Sequence, residues 1–127
     1  MRVREMSKHI TKTDRRLIGA WRSDRRRTLK DWIWCPRASA AHRKRVADIF
    51  GHLVIRFTRQ RMHTEFKEQR SSQNYEVLGS DSESVAVMHW NSLLERQSIQ
   101  HIHFVGDDHC WIAIGRQREW FRRVYNA

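Results

Sequence analysis

Proline occurs once in the 127 residues, cysteine twice and glycine five times. Two cysteines are too few for a disulfide scaffold, and Cys35 and Cys110 show no CxxC or Cys/His spacing of a zinc site. Both read as plain thiols. Five glycines leave little from which to build a phosphate-cradling loop. No apolar stretch approaches the roughly 20 residues that span a bilayer, and the opening MRVREMSKHITKTDRR lacks the apolar middle of a signal peptide. The expectation is a soluble, cytoplasmic chain. Neither a repeat of solenoid length nor a low-complexity tract is present, apart from arginine-rich patches.

Positive charge is abundant and unevenly placed. The formal net charge is +11, yet residues 1–50 hold 15 Lys or Arg against 5 Asp or Glu, and residues 51–127 hold 10 against 9. The surplus sits in residues 1–16, in the run Arg22 to Lys30 that includes Arg25, Arg26 and Arg27, and in Arg43, Lys44 and Arg45. Such clusters attract phosphate or anionic surfaces without reading a sequence. They define one candidate site, for nucleic acid or another polyanion.

Apolar residues follow two periods. Residues 1–13 carry only scattered apolar positions and are expected to form a basic flexible arm, with Thr13 or Asp14 capping a short helical turn into Leu17. The spacing predicts a first strand at Gly19-Ala20-Trp21 and one helix near residues 39–50, with Gly51 at its exit. After Gly51 the period becomes two, in seven runs: 53–58, 62–67, 75–78, 85–90, 99–105, 110–114 and 120–125. Turn-rich segments separate them, including 70–74, 79–83 and 91–97. A mainly β fold follows, an antiparallel up-and-down barrel with one short helix, because sequential strands hide their edges by closing. Residues 14–127 form its single domain. Most of Trp32, Trp34, Trp90, Trp111, Trp120, Phe57, Phe66, Phe104 and Tyr75 are expected in the core.

The segment Leu17-Ile18-Gly19-Ala20-Trp21 opens this meander, and Trp120-Phe121-Arg122-Arg123-Val124 ends it. The pattern resembles the calycin signature of lipocalin-like small barrels over residues 14–125, most of all the compact bacterial lipocalin-like domains. The resemblance implies that Trp21 sits at a closed barrel end with Arg122 or Arg123 across its indole, and that Gly19 permits a close backbone approach. The insertion of residues 25–51 after the first strand departs from larger lipocalins, as does the lack of their disulfides and secretory signal.

Chemistry is sparse. His101-x-His103, with His89 and His109 nearby, suggests a metal or haem site only if the register sends them inward. A three-residue loop at Gly106-Asp107-Asp108 pairs Phe104 with Cys110 and turns His101 and His103 outward, whereas a two-residue loop places the histidines among apolar partners. No recognisable ligand set, cofactor motif or catalytic residue emerges. Eight-stranded barrels either fill their interior or hold one small ligand. The leading expectation is therefore non-enzymatic binding of a small hydrophobic molecule by interior residues Ile55, Phe57, Met62, Phe66, Tyr75, Phe104 and Ile112. Polyanion binding through the basic half is the alternative, and a barrel enzyme of cyclase or isomerase type a second.

Overall fold

A computed structural model describes residues 13–91 and 94–125. The expected arm lies outside the described residues except for Thr13. The first strand, β1 (Gly19–Ser23), is followed by two helices, α1 (Arg25–Asp31) and α2 (Ala40–Ala47). Seven further strands succeed them: β2 (Leu53–Phe57), β3 (Arg61–Phe66), β4 (Gln69–Ser80), β5 (Ser84–Asn91), β6 (Arg96–Val105), β7 (His109–Ile114) and β8 (Gln117–Val124). Each pairs antiparallel with the next, and β8 returns to β1, closing an eight-stranded up-and-down barrel. Closure leaves no edge for another chain to extend. No helix is long and apolar enough to cross a membrane.

The charged run after β1 forms a second helix where only the one near residues 39–50 was expected. Asp24 caps it by accepting from the Arg27 N–H, and Thr28 is wholly buried against β8, its Oγ1 accepting from the Trp120 N–H at 2.8 Å. A short polar cap and one buried contact outweigh three consecutive arginines, which simply face solvent. The expected helix near 39–50 is shorter. Ser39 caps α2 through the His42 N–H, and none of its residues is buried; Phe50, beyond its end, is buried against Trp32 instead.

Residues 70–74, expected as a turn, belong to the 12-residue strand β4. Arg61 donates to Ser72 and Asn74, Thr64 bonds Ser71, and Arg70 pairs with Glu65, so side-chain pairing across the ladder holds a strand that apolar alternation does not mark. A bulge at Leu78 shifts the register of β4 against β5. At the β6–β7 hairpin Phe104 pairs with Cys110 and Ile102 with Ile112, the three-residue-loop register. His101 and His103 therefore face outward, and His103 stacks on Trp111 at 3.9 Å between centroids.

The core is a cluster at one end of the barrel, comprising Leu17, Trp21, Ile55, Phe57, Met62, Tyr75, Val77, Val85, Val87, Ile102, Cys110, Ile112 and Phe121. Trp21 is its only tryptophan. Trp90 is 45% exposed, Trp111 lies on the outer wall, Trp120 is buried beneath α1 on that wall, and Trp32 and Trp34 belong to the segment linking the helices. The expectation of a tryptophan-rich core is thus corrected: these rings occupy the outward parity of their strands or lie outside them.

Two arginines seal this end. The Arg123 guanidinium lies 4.1 Å from the Trp21 ring centre and donates to the carbonyls of Ile18, Arg16 and Asp107. Arg16 lies 4.5 Å from the Phe104 ring centre, donates to the carbonyls of Asp81 and Ser82, and pairs with Asp14 at 2.7 Å. Gly19 has φ +125°, and a Cβ there would stand 3.0 Å from Arg123 Nη1. Only glycine meets both demands without strain.

Candidate functional site

Side chains alternate across a strand, and directly paired residues share a face, so the core cluster fixes which residues look inward. On β5 the inward series is Val85, Val87, His89, Asn91; on β6 it is Arg96, Ser98, Gln100, Ile102, Phe104. On β4 it is Gln69, Ser71, Gln73, Tyr75, Val77, and on β8 Gln117, Glu119, Phe121, Arg123. On β1 Trp21 is followed by Ser23, and on β3 Met62 by Thr64 and Phe66. The change from apolar to polar runs towards the C-terminus on odd strands and towards the N-terminus on even ones. Because neighbours are antiparallel, every change points to the same end, opposite the arginine seal. Inward residues of β2 and β7 stay apolar throughout: Leu53, Ile55 and Phe57, and Cys110, Ile112 and Ile114.

The lumen is therefore an apolar floor beneath a polar wall with two apolar tracks. The floor is packed: Phe57 and Tyr75 meet edge to face at 5.2 Å, and Val87 and Ile102 are almost wholly buried. The upper wall is not. Leu53, Thr64, Phe66, Gln73, Ser98 and Gln100 face inward yet are only half-buried, and Ser71 and Ile114 are exposed. These inward-facing positions are accessible to solvent, unlike those of the floor.

Two ionisable groups in this wall are sheltered. His89 is buried, its Nδ1 3.2 Å from the Trp90 carbonyl oxygen and 3.3 Å from the Gln73 side-chain amide, while its buried Nε2 has no hydrogen-bond partner among the described residues. Burial pushes the Glu119 carboxyl above its ordinary range, and a 2.7 Å hydrogen bond from the Ser23 hydroxyl opposes that rise. Ser23 Oγ also accepts from the Gly51 N–H, which ties the end of the helical segment to the mouth. Gln117 ties it again by exchanging two 2.9 Å hydrogen bonds with the Ile33 backbone.

Of the interior residues named from sequence, Ile55, Phe57, Met62, Tyr75 and Ile112 come together in the floor cluster and Phe104 packs on it half-buried. Phe66 stands apart, half-buried against His52 at the mouth. The register sets Trp21 opposite Arg123, while Arg122 is exposed on the outer wall opposite Arg22. The basic candidates Arg25, Arg26 and Arg27 lie on α1, and Arg43, Lys44 and Arg45 on α2. Arg25 and Lys44 pair with Asp48, Arg27 with Asp24, and Arg43 lies over Trp34.

Gln73, Ser98, Gln100 and Glu119 were not legible as site residues, and His89 was legible only as a metal or haem candidate beside His101, His103 and His109. The available signal is parity: His89 continues Val85 and Val87, so a polar residue there breaks an inward apolar series. Cys110 is no nucleophile, since burial pushes its thiol up to about 12. No three His, Cys, Asp or Glu side chains converge as a metal-ligand group among the described residues. No family model, curated protein or solved structure matches the chain.

Proposed function

We propose that this protein is a calycin-like barrel that binds one small, largely hydrophobic molecule in its lumen without transforming it. The observation that carries this reading is the lumen's two-part lining: a packed apolar floor, then inward-facing residues that solvent reaches. A barrel with a solid interior would bury those positions. The ligand rests on the floor formed by Ile55, Met62 and Ile112, runs along Leu53 and Ile114, and turns its polar end to the wall. The calycin assignment is supported by the Gly19, Trp21 and Arg123 arrangement at the sealed end.

The test is titration with N-phenyl-1-naphthylamine, an uncharged apolar fluorophore that the protein's positive charge does not attract. Saturable, one-to-one enhancement is expected, lost in a folded Gln100→Trp variant that fills the lumen. Enhancement that is absent, or that survives Gln100→Trp, overturns the reading.

A second reading, polyanion binding, is favoured by the wholly unburied α2 with Arg43, Lys44 and Arg45 on it. It predicts binding to a DNA or RNA oligonucleotide that weakens steeply with salt and is lost when these three are neutralised. Salt-independent binding removes it.

A further inference from the structure

The buried Nε2 of His89 is the one polar side-chain atom of the described residues that is enclosed without a partner. His89 is only 8% exposed, and it faces the lumen between Tyr75 on β4 and Ser98 on β6. A buried polar atom left unpaired is costly, and its cost is relieved when a ligand supplies the missing hydrogen bond.

The chemistry of that bond follows from the other ring nitrogen. Nδ1 is 3.2 Å from the Trp90 carbonyl oxygen, which can only accept, so Nδ1 carries the proton. The Gln73 amide nitrogen Nε2 is placed 3.3 Å from the same nitrogen; an amide's oxygen and nitrogen are assigned from their partners, and exchanging them lets Gln73 accept from that N–H as well. This tautomer satisfies both neighbours at once. It leaves Nε2 as a bare acceptor.

We infer that His89 Nε2 reads a hydroxyl: it accepts a hydrogen bond from the O–H of an uncharged amphipathic ligand whose apolar part rests on the lumen floor. The inference rests on the lumen-binding reading above. A carboxylate end is disfavoured because Nε2 in this tautomer has no proton to donate to it and Glu119 faces the same lumen, with Arg96, next after Ser98 in the inward series, standing at the mouth. An ether of the same shape offers Nε2 nothing.

The test displaces N-phenyl-1-naphthylamine with decan-1-ol, its methyl ether and decanoate, in the wild type and in His89→Phe and His89→Gln. The wild type should prefer the alcohol to the ether by about tenfold, the worth of one hydrogen bond to a buried group. His89→Phe should bind the fluorophore yet lose that preference, and His89→Gln, which keeps an acceptor, should retain part of it. Equal binding of alcohol and ether by the wild type, a preference that survives His89→Phe, or a stronger preference for decanoate overturns the inference. The lumen reading stands in those cases. Failure of the fluorophore to bind the wild type overturns both.

Discussion

Arg123 and Trp21 are direct cross-strand partners between β8 and β1, and the guanidinium lies 4.1 Å from the centre of the indole ring. The indole N–H donates to the Leu17 carbonyl at 2.9 Å, so the ring is fixed from its edge as well as its face. Arg123 thereby joins the last strand, the first strand and the turn before it into one seal, through three main-chain carbonyls.

Arg123→Ala should destabilise the barrel by about 2–4 kcal/mol, from the lost charged hydrogen bonds and the cation–π contact. The exposed neighbour gives the control: Arg122→Ala should stay within about 0.5 kcal/mol. Urea denaturation of both variants checks the contrast. Equal losses would mean that the seal contributes no more than an exposed arginine on the outer wall.

Gly19→Ala combines an unfavourable φ with a close approach to Arg123 and should cost about 1–3 kcal/mol. A Cβ at Gly79 meets nothing within 4 Å, and its φ is not one that favours glycine. Gly79→Ala should therefore be close to neutral. Thermal unfolding of the pair separates a positional requirement from a general effect of removing glycine.

Thr28→Val keeps the shape of a fully buried side chain but removes the acceptor of the Trp120 N–H. The expected loss is about 1–3 kcal/mol, the cost of an unsatisfied buried donor. Thr28→Ser, which keeps the hydroxyl, should recover much of it. Chemical denaturation distinguishes the two, and a Thr28→Val variant as stable as the wild type would show that the hydroxyl contributes nothing.

Of the three displaced carboxyls among the described residues, Glu119 is raised while Asp14 and Asp81 are lowered, so they respond to pH in opposite directions. Burial raises Glu119 above its ordinary value of 4.5, so the folded state holds that proton more tightly than the unfolded chain. Its contribution is full below 4.5 and is lost as pH rises through the folded value. Asp14 is lowered from 3.8 by its hydrogen bonds with Arg16, so its contribution is present above 3.8 and is lost as pH falls through the folded value. Melting temperatures measured from about pH 3 to 7 should show Glu119→Gln reducing the decline on the alkaline side and Asp14→Asn reducing the decline on the acid side, to which Asp81 also contributes. A profile unchanged by both variants would contradict this assignment.

The strands legible in the sequence are those with one dry face and one wet face. Leu53, Ile55 and Phe57 alternate with Val54 and Arg56, and Val85 and Val87 with Ala86, so their period of two survives. Residues 69–74 show no such period because Gln69, Ser71 and Gln73 face the wet half of the lumen while Arg70, Ser72 and Asn74 face outward. The candidate site and the unrecognised half of β4 are hidden for one reason: a polar lumen erases the alternation that reveals a strand. Helix α1 is obscured differently, since its arginines face solvent and its single wholly buried residue, Thr28, is itself polar. The register of the Gly106 hairpin depends on the length of its loop, which no residue type there decides by itself.

The outward placement of the tryptophans has an optical consequence. Trp90, Trp111 and Trp120 point away from the lumen, Trp32 and Trp34 lie on the helical segment, and Trp21 belongs to the packed floor beneath the solvent-reached half. The indoles make no ring contact with the upper lumen, so an occupant there alters their emission only by energy transfer through the barrel wall, and one whose absorption does not overlap that emission leaves it unchanged.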